Sequence, residues 1–386
     1  MFSGMIGWYV KKKTGVQADR FAEQGEGPYL VLYNHQTPYD QFFLMMSFRG
    51  PVYYLATEDL FSNGLPSYLL MWSVAPIPII KHSSDRTAIL LMFKVAQEGG
   101  TLVIAPEGNR TYSGKTEWMS PAIGHVAKKL HLPIALYRIE GGYGAEPRWA
   151  DDLRKGKIHA YVSRVIQPEE IDQMTDEELF EEIKTGLYVN EAVADSAYLS
   201  DTKAEYLERC VYVCPDCGLT TFESHGNEVE CLTCHKKVRY YDDKHMEGVG
   251  FDFPFRFVND WYEYQQDFIN HLDVLQYIDK PLYEDRAAIS QVIVYKAKKK
   301  LRKDASLKLY GDRIVIDEKS AEEWVIPYEE VKGMAICGRN KLNVYHNRNI
   351  YQFRGEKRFN ALKYVNIYYR HKNMTKETKD GKFLGL

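Results

Sequence analysis

Short apolar runs separated by amphipathic stretches fill the first half of the chain. Tyr29–Tyr33, Val52–Ala56, Leu102–Ala105, Ile134–Ile139 and Ile158–Ile166 have the length and β-branched content of buried strands. Thr87–Gln97 repeats apolar residues at helical spacing, with Ser83–Asp85 as its cap and Gly99-Gly100 as its stop. An acidic amphipathic stretch, Thr175–Asn190, predicts a closing helix. Strands alternating with helices predict an α/β domain around a mostly parallel central sheet, spanning residues 1–197.

The pattern then changes. Within residues 210–245, four of the five cysteines form two Cys-x-x-Cys pairs. Phe257–Leu272 reads as a helix rich in aromatics (Trp261, Tyr262, Tyr264 and Phe268). Beyond it come short strand-like runs with turn signals at Tyr310-Gly311-Asp312 and His346-Asn347-Arg348-Asn349, and a last helix is predicted over Glu356–Tyr369. Residues 251–386 are therefore expected to be β-rich, with strands closed by one helix as in a small pleckstrin-homology-like barrel.

Composition narrows the class. The 386 residues suffice for two or three domains. Fifty basic and fifty-three acidic residues nearly cancel, so no global attraction to nucleic acid is expected. Twenty-nine tyrosines suit work at a lipid interface. The start, Met-Phe-Ser-Gly, lacks the basic-then-apolar pattern of a secretory leader, which predicts a cytoplasmic protein. Phe61–Ile80 carries no charge, but Pro66, Pro76 and Pro78 argue against a spanning helix and for packed core or a shallow membrane contact. Within residues 1–13, Trp8 and Tyr9 precede Lys11, Lys12 and Lys13. That order fits either a helix docked on the domain or a segment lying among anionic headgroups on the inner membrane face.

The candidate chemistry sits at strand ends. Tyr29–Tyr33 runs into Asn34-His35-Gln36-Thr37-Pro38-Tyr39-Asp40, where an aspartate five positions after a histidine can bind one ring nitrogen and leave the other as a general base. A second strand ends in Pro106-Glu107-Gly108-Asn109-Arg110-Thr111, followed by Lys115. Arg110 offers a planar fork for phosphate and Lys115 a second positive charge.

Asn-His-x4-Asp followed by Pro-Glu-Gly-x-Arg and a strand entered at Leu132-Pro133-Ile134 resembles the glycerolipid acyltransferases, nearest the 1-acylglycerol-3-phosphate (lysophosphatidic acid) group, over about residues 10–195. The resemblance implies that His35 deprotonates the acceptor hydroxyl, that Asp40 orients His35, and that Glu107 and Arg110 position the acceptor's glycerol phosphate. Attack would fall on the thioester of acyl-CoA or acyl-carrier protein, with Asn34 or a backbone N–H near Gly108 as the oxyanion donor. Where the family places an arginine for the acceptor phosphate, this chain has Lys81. The ammonium keeps the charge but loses bidentate geometry, so a different lysolipid or another hydroxyl acceptor is an alternative. A second alternative is a catalytically inactive scaffold that binds a partner through its C-terminal parts.

Cys214, Cys217, Cys231 and Cys234 have the spacing of a zinc ribbon, with four thiolates closing a structural Zn²⁺ site. The run Lys296–Lys303 is a local basic patch, read as a contact for anionic lipid or as a strand edge blunted by lysines, rather than as a nucleic-acid contact.

Overall fold

The computed structural model describes residues 2–82, 86–193, 195–376 and 383–385. The first half holds α1 (Phe2–Thr14), β1 (Gln17–Ala18), β2 (Leu30–Tyr33), α2 (Asp40–Ser47), β3 (Val52–Thr57), α3 (Leu65–Val74), β4 (Ile77–Ile79), α4 (Arg86–Gln97) and β5 (Thr101–Ile104). It continues through α5 (Ala122–Leu130), β6 (Ile134–Glu140), α6 (Gly142–Ala145), β7 (His159–Ile166), α7 (Pro168–Ile171) and α8 (Asp176–Leu187). One sheet results, in the order β1-β7-β6-β2-β5-β3-β4. Every neighbouring pair is parallel except β6 and β7.

Side-chain alternation in the strands builds the layers. Leu30, Leu32, Leu102 and Ile104 pack with Met92 of α4, Ala127 of α5 and Ile183 of α8 on one face. Val31, Tyr33 and Val103 pack with Phe43 and Leu44 of α2 on the other, where α1 also lies. The registers Leu30↔Leu102 and Leu32↔Ile104 bring the carboxyl ends of β2 and β5 side by side, so the loops after them meet.

Helix α8 starts where its capping box directs. The Thr175 hydroxyl accepts from the Glu178 N–H at 3.1 Å, and the Glu178 carboxylate accepts from the Thr175 N–H at 2.8 Å. It stops three residues short of the expected Asn190, because the backbone at Val189 pairs with Thr116 instead. The cap expected for α4 at Ser83–Asp85 lies outside the described residues. The uncharged stretch after Phe61 forms α3 and β4. Leu65, Tyr68, Leu69 and Trp72 of α3 are 60–88% exposed, so this helix does not belong to the core. No helix among the described residues is long and apolar enough to cross a membrane.

In the second half, β8 (Val213–Cys214) pairs with β9 (Gly218–Leu219). Beside them, β10 (Phe222–His225), β11 (Glu228–Cys231), β12 (Lys237–Tyr240) and β13 (Met246–Gly248) form an antiparallel sheet. After α9 (Val258–His271) come β14 (Tyr283–Val292), β15 (Lys299–Leu309), β16 (Arg313–Ile316), β17 (Trp324–Pro327), β18 (Val331–Cys337), β19 (Lys341–His346), β20 (Asn349–Gly355) and α10 (Leu362–Thr375). These seven strands make one antiparallel sheet in the order β17-β16-β15-β14-β20-β19-β18, with α10 against β18. Helix α10 begins six residues later than the expected Glu356. The Asn360 side chain accepts from the Lys363 N–H at 3.0 Å and donates to the Glu208 carbonyl at 2.8 Å, which holds the preceding residues as a turn. The cysteine ribbon and the C-terminal sheet share a core containing Tyr212, Phe222, Trp261, Phe353 and Tyr364.

The loop after β3 ties the two halves together. The Glu58 carboxylate accepts from Asn343 at 3.1 Å and from the Tyr345 hydroxyl. Asp59 accepts from Gln352 at 2.7 Å and pairs with Lys298 at 2.5 Å and Lys341 at 3.4 Å. The basic run is therefore not one solvent-facing patch: Lys298 is spent on Asp59, and Arg302 pairs with Glu322.

Candidate active site

His35 and Asp40 stand at the end of β2 and the start of α2. The intervening turn brings His35 Nδ1 to 2.8 Å from Asp40 Oδ2. Asp40 is fully buried and holds its turn closed. Its two oxygens also accept from the Gln36 N–H at 2.8 Å, the Thr37 N–H at 3.0 Å and the Thr37 hydroxyl at 2.7 Å. A carboxylate so anchored cannot swing. It keeps the proton on Nδ1 and leaves the Nε2 lone pair as the basic position. The imidazole side chain is 24% exposed and lies edge-on to Tyr33, so a substrate hydroxyl can reach it.

Glu107 belongs to the scaffold of this dyad. It is 4% exposed, accepting the His35 N–H at 2.8 Å on one oxygen and the Glu117 N–H at 2.6 Å on the other. Burial pushes its carboxyl well above the ordinary carboxylate range, against the pull of those two donors. Where the acyltransferase resemblance gives Glu107 a contact with the acceptor, the structure shows it holding the backbone of His35. Asn34 is likewise engaged: its amide donates to the Ile139 carbonyl and accepts from the Ile139 N–H, both at 2.8 Å, stitching β2 to β6. Gly108 adopts φ +66, a left-handed conformation that favours glycine, and its N–H is bound to the Ala105 carbonyl at 2.9 Å. The Gly108 N–H is thus not free to serve an oxyanion, and the Asn34 amide is held in the sheet with one of its two N–H donors spent.

The cations gather on the turn after β5. Arg110 donates from Nε to the Gln36 carbonyl at 2.9 Å and from Nη2 to the Glu146 carbonyl at 2.7 Å; burial pushes its pKa down to about 10. Lys81 reaches in from beyond β4, donating to the Gly108 carbonyl at 2.8 Å and to Asn109 Oδ1 at 2.9 Å. Burial, followed by the nearby Arg148, shifts its pKa down. Lys115 is elsewhere, paired with Glu263 of α9. The sequence reading missed Thr37, Glu146 and Arg148. Thr37 was recoverable as the hydroxyl residue three before a helix-starting aspartate. Arg148 carries no motif and is placed by tertiary contacts, lying over the Tyr112 ring at 4.4 Å and donating to the carbonyls of Arg110 at 2.8 Å and Ile336 at 3.1 Å.

In the second half of the chain, Cys214, Cys217, Cys231 and Cys234 bring their sulfurs within 4.8 Å of one another. Cys214 and Cys234 are 3.9 Å apart, close to the roughly 3.8 Å edge of a tetrahedron with 2.3 Å metal–sulfur bonds. Backbone N–H groups of Asp216 and Cys217 point at Cys214, and those of Thr233 and Cys234 at Cys231, the pattern of two knuckles turned toward a shared centre. The cluster can hold a metal ion such as zinc.

Residues 10–138 match the family model described as Acyltransferase. Among solved structures the chain is similar to the 1-acyl-sn-glycerophosphate (LPA) acyltransferase PlsC from Thermotoga maritima. The identity is 18% and the TM-score 0.39, over 48% of this chain and 78% of that one. No curated protein matches the chain.

Proposed function

We propose, from the premise that residues 10–138 are an acyltransferase domain, that the protein moves a fatty acyl group from acyl-CoA or acyl-carrier protein to the hydroxyl of lysophosphatidic acid, giving phosphatidic acid for phospholipid synthesis. The observation that carries this reading is the anchored His35–Asp40 pair beside the cationic turn of Lys81 and Arg110. His35 Nε2 takes the hydroxyl proton as the acceptor oxygen bonds to the thioester carbonyl carbon. The carbon–sulfur bond then breaks, and the departing thiolate receives the proton from the imidazolium. A base held this way is worth about 10²–10⁴-fold in rate. Arg110 and Lys81 hold the acceptor's phosphate.

The same reading places the protein on the cytoplasmic face of a membrane. The exposed Trp8 and Tyr9 of α1 with Lys11, Lys12 and Lys13, and the exposed face of α3, supply the apolar and cationic contacts that an anionic bilayer accepts. The four cysteines take a structural Zn²⁺, which would hold the ribbon's two knuckles together. Residues 1–197, 210–245 and 251–386 are read as catalytic domain, ribbon and β-rich domain, the last a pleckstrin-homology-like barrel.

A panel of lysolipids presented with labelled acyl-CoA and acyl-carrier protein tests the reaction. Label on lysophosphatidate supports it. Label on another hydroxyl acceptor would replace the substrate, which is the reading Lys81 in place of arginine favours. Transfer to none of them would leave a binding scaffold.

A further inference from the structure

Helix α3 turns its apolar side outward. Leu65, Tyr68, Leu69 and Trp72 stand at i, i+3, i+4 and i+7, a single stripe of a helix, and all four are exposed. The opposite side is pinned. Ser67 is buried and donates to the Leu60 carbonyl at 2.6 Å, which fastens the helix to the turn Glu58–Phe61 before it. A stripe of this size held away from the core marks a contact surface.

The loop between β14 and β15, residues 293–298, packs on that same turn. The Tyr295 N–H donates to the Phe61 carbonyl at 2.9 Å, and its exposed ring meets the Phe61 ring edge-on at 5.9 Å. The Lys298 N–H donates to the Ser62 carbonyl at 3.2 Å, and Ala297 lies against Gly64, where a Cβ would stand 3.6 Å from its own. Residues 293–303 hold six cations and no acidic residue. Lys298 and Arg302 are spent on Asp59 and Glu322. Lys296, Lys299 and Lys300 are exposed and have no ion pair among the described residues. The acidic side chains that reach this hairpin are taken by other cations: Asp59 by Lys298 and Lys341, Asp317 and Glu322 by Arg302, and Asp304 by Arg286. Strand β16 pairs only with Leu307–Leu309 of β15, so among the described residues no strand covers the outer edge of β15 at Lys299 and Lys300.

The apolar stripe alone would admit a protein partner or a second copy as readily as lipid. Three unpaired lysines fastened at its start, with an exposed tyrosine among them, select an occupant that is apolar within and anionic at its rim. We propose that α3 and the β14–β15 hairpin form one docking surface for an anionic bilayer. The α3 stripe enters the acyl layer, and Lys296, Lys299 and Lys300 lie on the headgroups. The inference extends the membrane-side reading of α3 and does not depend on acyl-transfer chemistry. It gives the β-rich half of the chain a direct part in membrane attachment.

The test is co-sedimentation of the full chain with vesicles of phosphatidylcholine alone and of phosphatidylcholine mixed with phosphatidylglycerol, at low and high salt. A triple variant, Lys296→Gln, Lys299→Gln and Lys300→Gln, should bind the mixed vesicles about ten- to a hundredfold more weakly at low salt. The difference should shrink at high salt, and partition onto phosphatidylcholine should match wild type. Replacing Leu69 and Trp72 by serine should instead weaken binding to both vesicles. Hydrogen exchange on the wild-type chain supplies a readout that needs no variant: mixed vesicles should protect residues 65–72 and 293–300 together. Protection of 65–72 alone, or wild-type affinity in the triple variant, would confine the contact to α3 and overturn the joint surface. Absence of wild-type binding to either vesicle would overturn it as well, as would burial of both segments in a dimer or lysine-dependent binding to a duplex oligonucleotide but not to vesicles. Vesicle binding of the predicted form without acyl transfer would uphold it and sink the catalytic reading alone.

Discussion

Glu107 has a consequence measurable at the scale of one residue. Its carboxyl is buried and its pKa raised well above the ordinary 4.5, so the folded chain holds this proton more tightly than the unfolded one. The resulting stabilisation is complete below 4.5 and is lost as pH rises through the folded value. Glu107→Gln should therefore lose less stability than wild type as pH rises from 4.5 to 8, read as urea midpoints across that range. Parallel curves would contradict the assignment. At this scale the pairing of His35 with Asp40, 2.8 Å apart, was legible in the sequence, because a histidine and an aspartate in one short turn can meet by local geometry alone. It could not tell a substrate contact from a backbone brace. Asn34, Glu107 and Lys115 were read as facing substrate, yet they are spent on Ile139, on the N–H groups of His35 and Glu117, and on Glu263. Each of those partners is distant in sequence or is a backbone group, which no motif records.

At the scale of elements, periodicity located five of the seven strands of the first sheet to within a residue or two, most plainly β2 and β5, whose burial on both faces gives a continuous apolar run, while the short edge strands β1 and β4 left no such signal. Helix α3 was harder to read. Its apolar content is as high as a core segment's, and only the structure shows that Leu65, Tyr68, Leu69 and Trp72 face outward. If that face enters a bilayer, replacing Leu69 and Trp72 together by serine should lower partition onto anionic liposomes by about ten- to a hundredfold. The melting temperature should change little, because Trp72 is 88% exposed. Co-sedimentation with liposomes gives the first quantity and calorimetry the second; unchanged partition would move the membrane contact elsewhere. Helix α10 shows the opposite failure. Its aromatic pattern was legible, but its start was set by Asn360 binding Glu208, some 150 residues away in the chain.

Across the whole molecule, the ribbon, α9 and the C-terminal sheet form one buried core, and that sheet is fastened to the first half of the chain through Glu58, Asp59 and Arg148. Purified protein should carry about one zinc per chain by elemental analysis. Cys231→Ser should lose it and lower the melting temperature by at least about 5 °C, since structural zinc contributes directly to folding. A folded, metal-free wild type would refute the site. The central claim is that the anchored imidazole at the end of β2 performs acyl transfer. Its most direct test is the transfer rate from labelled acyl-CoA to lysophosphatidate by wild type and His35→Ala, with equal folding checked by circular dichroism. The account predicts transfer by wild type and a loss of about 10²–10⁴-fold in the variant. Equal rates in the two proteins would contradict it.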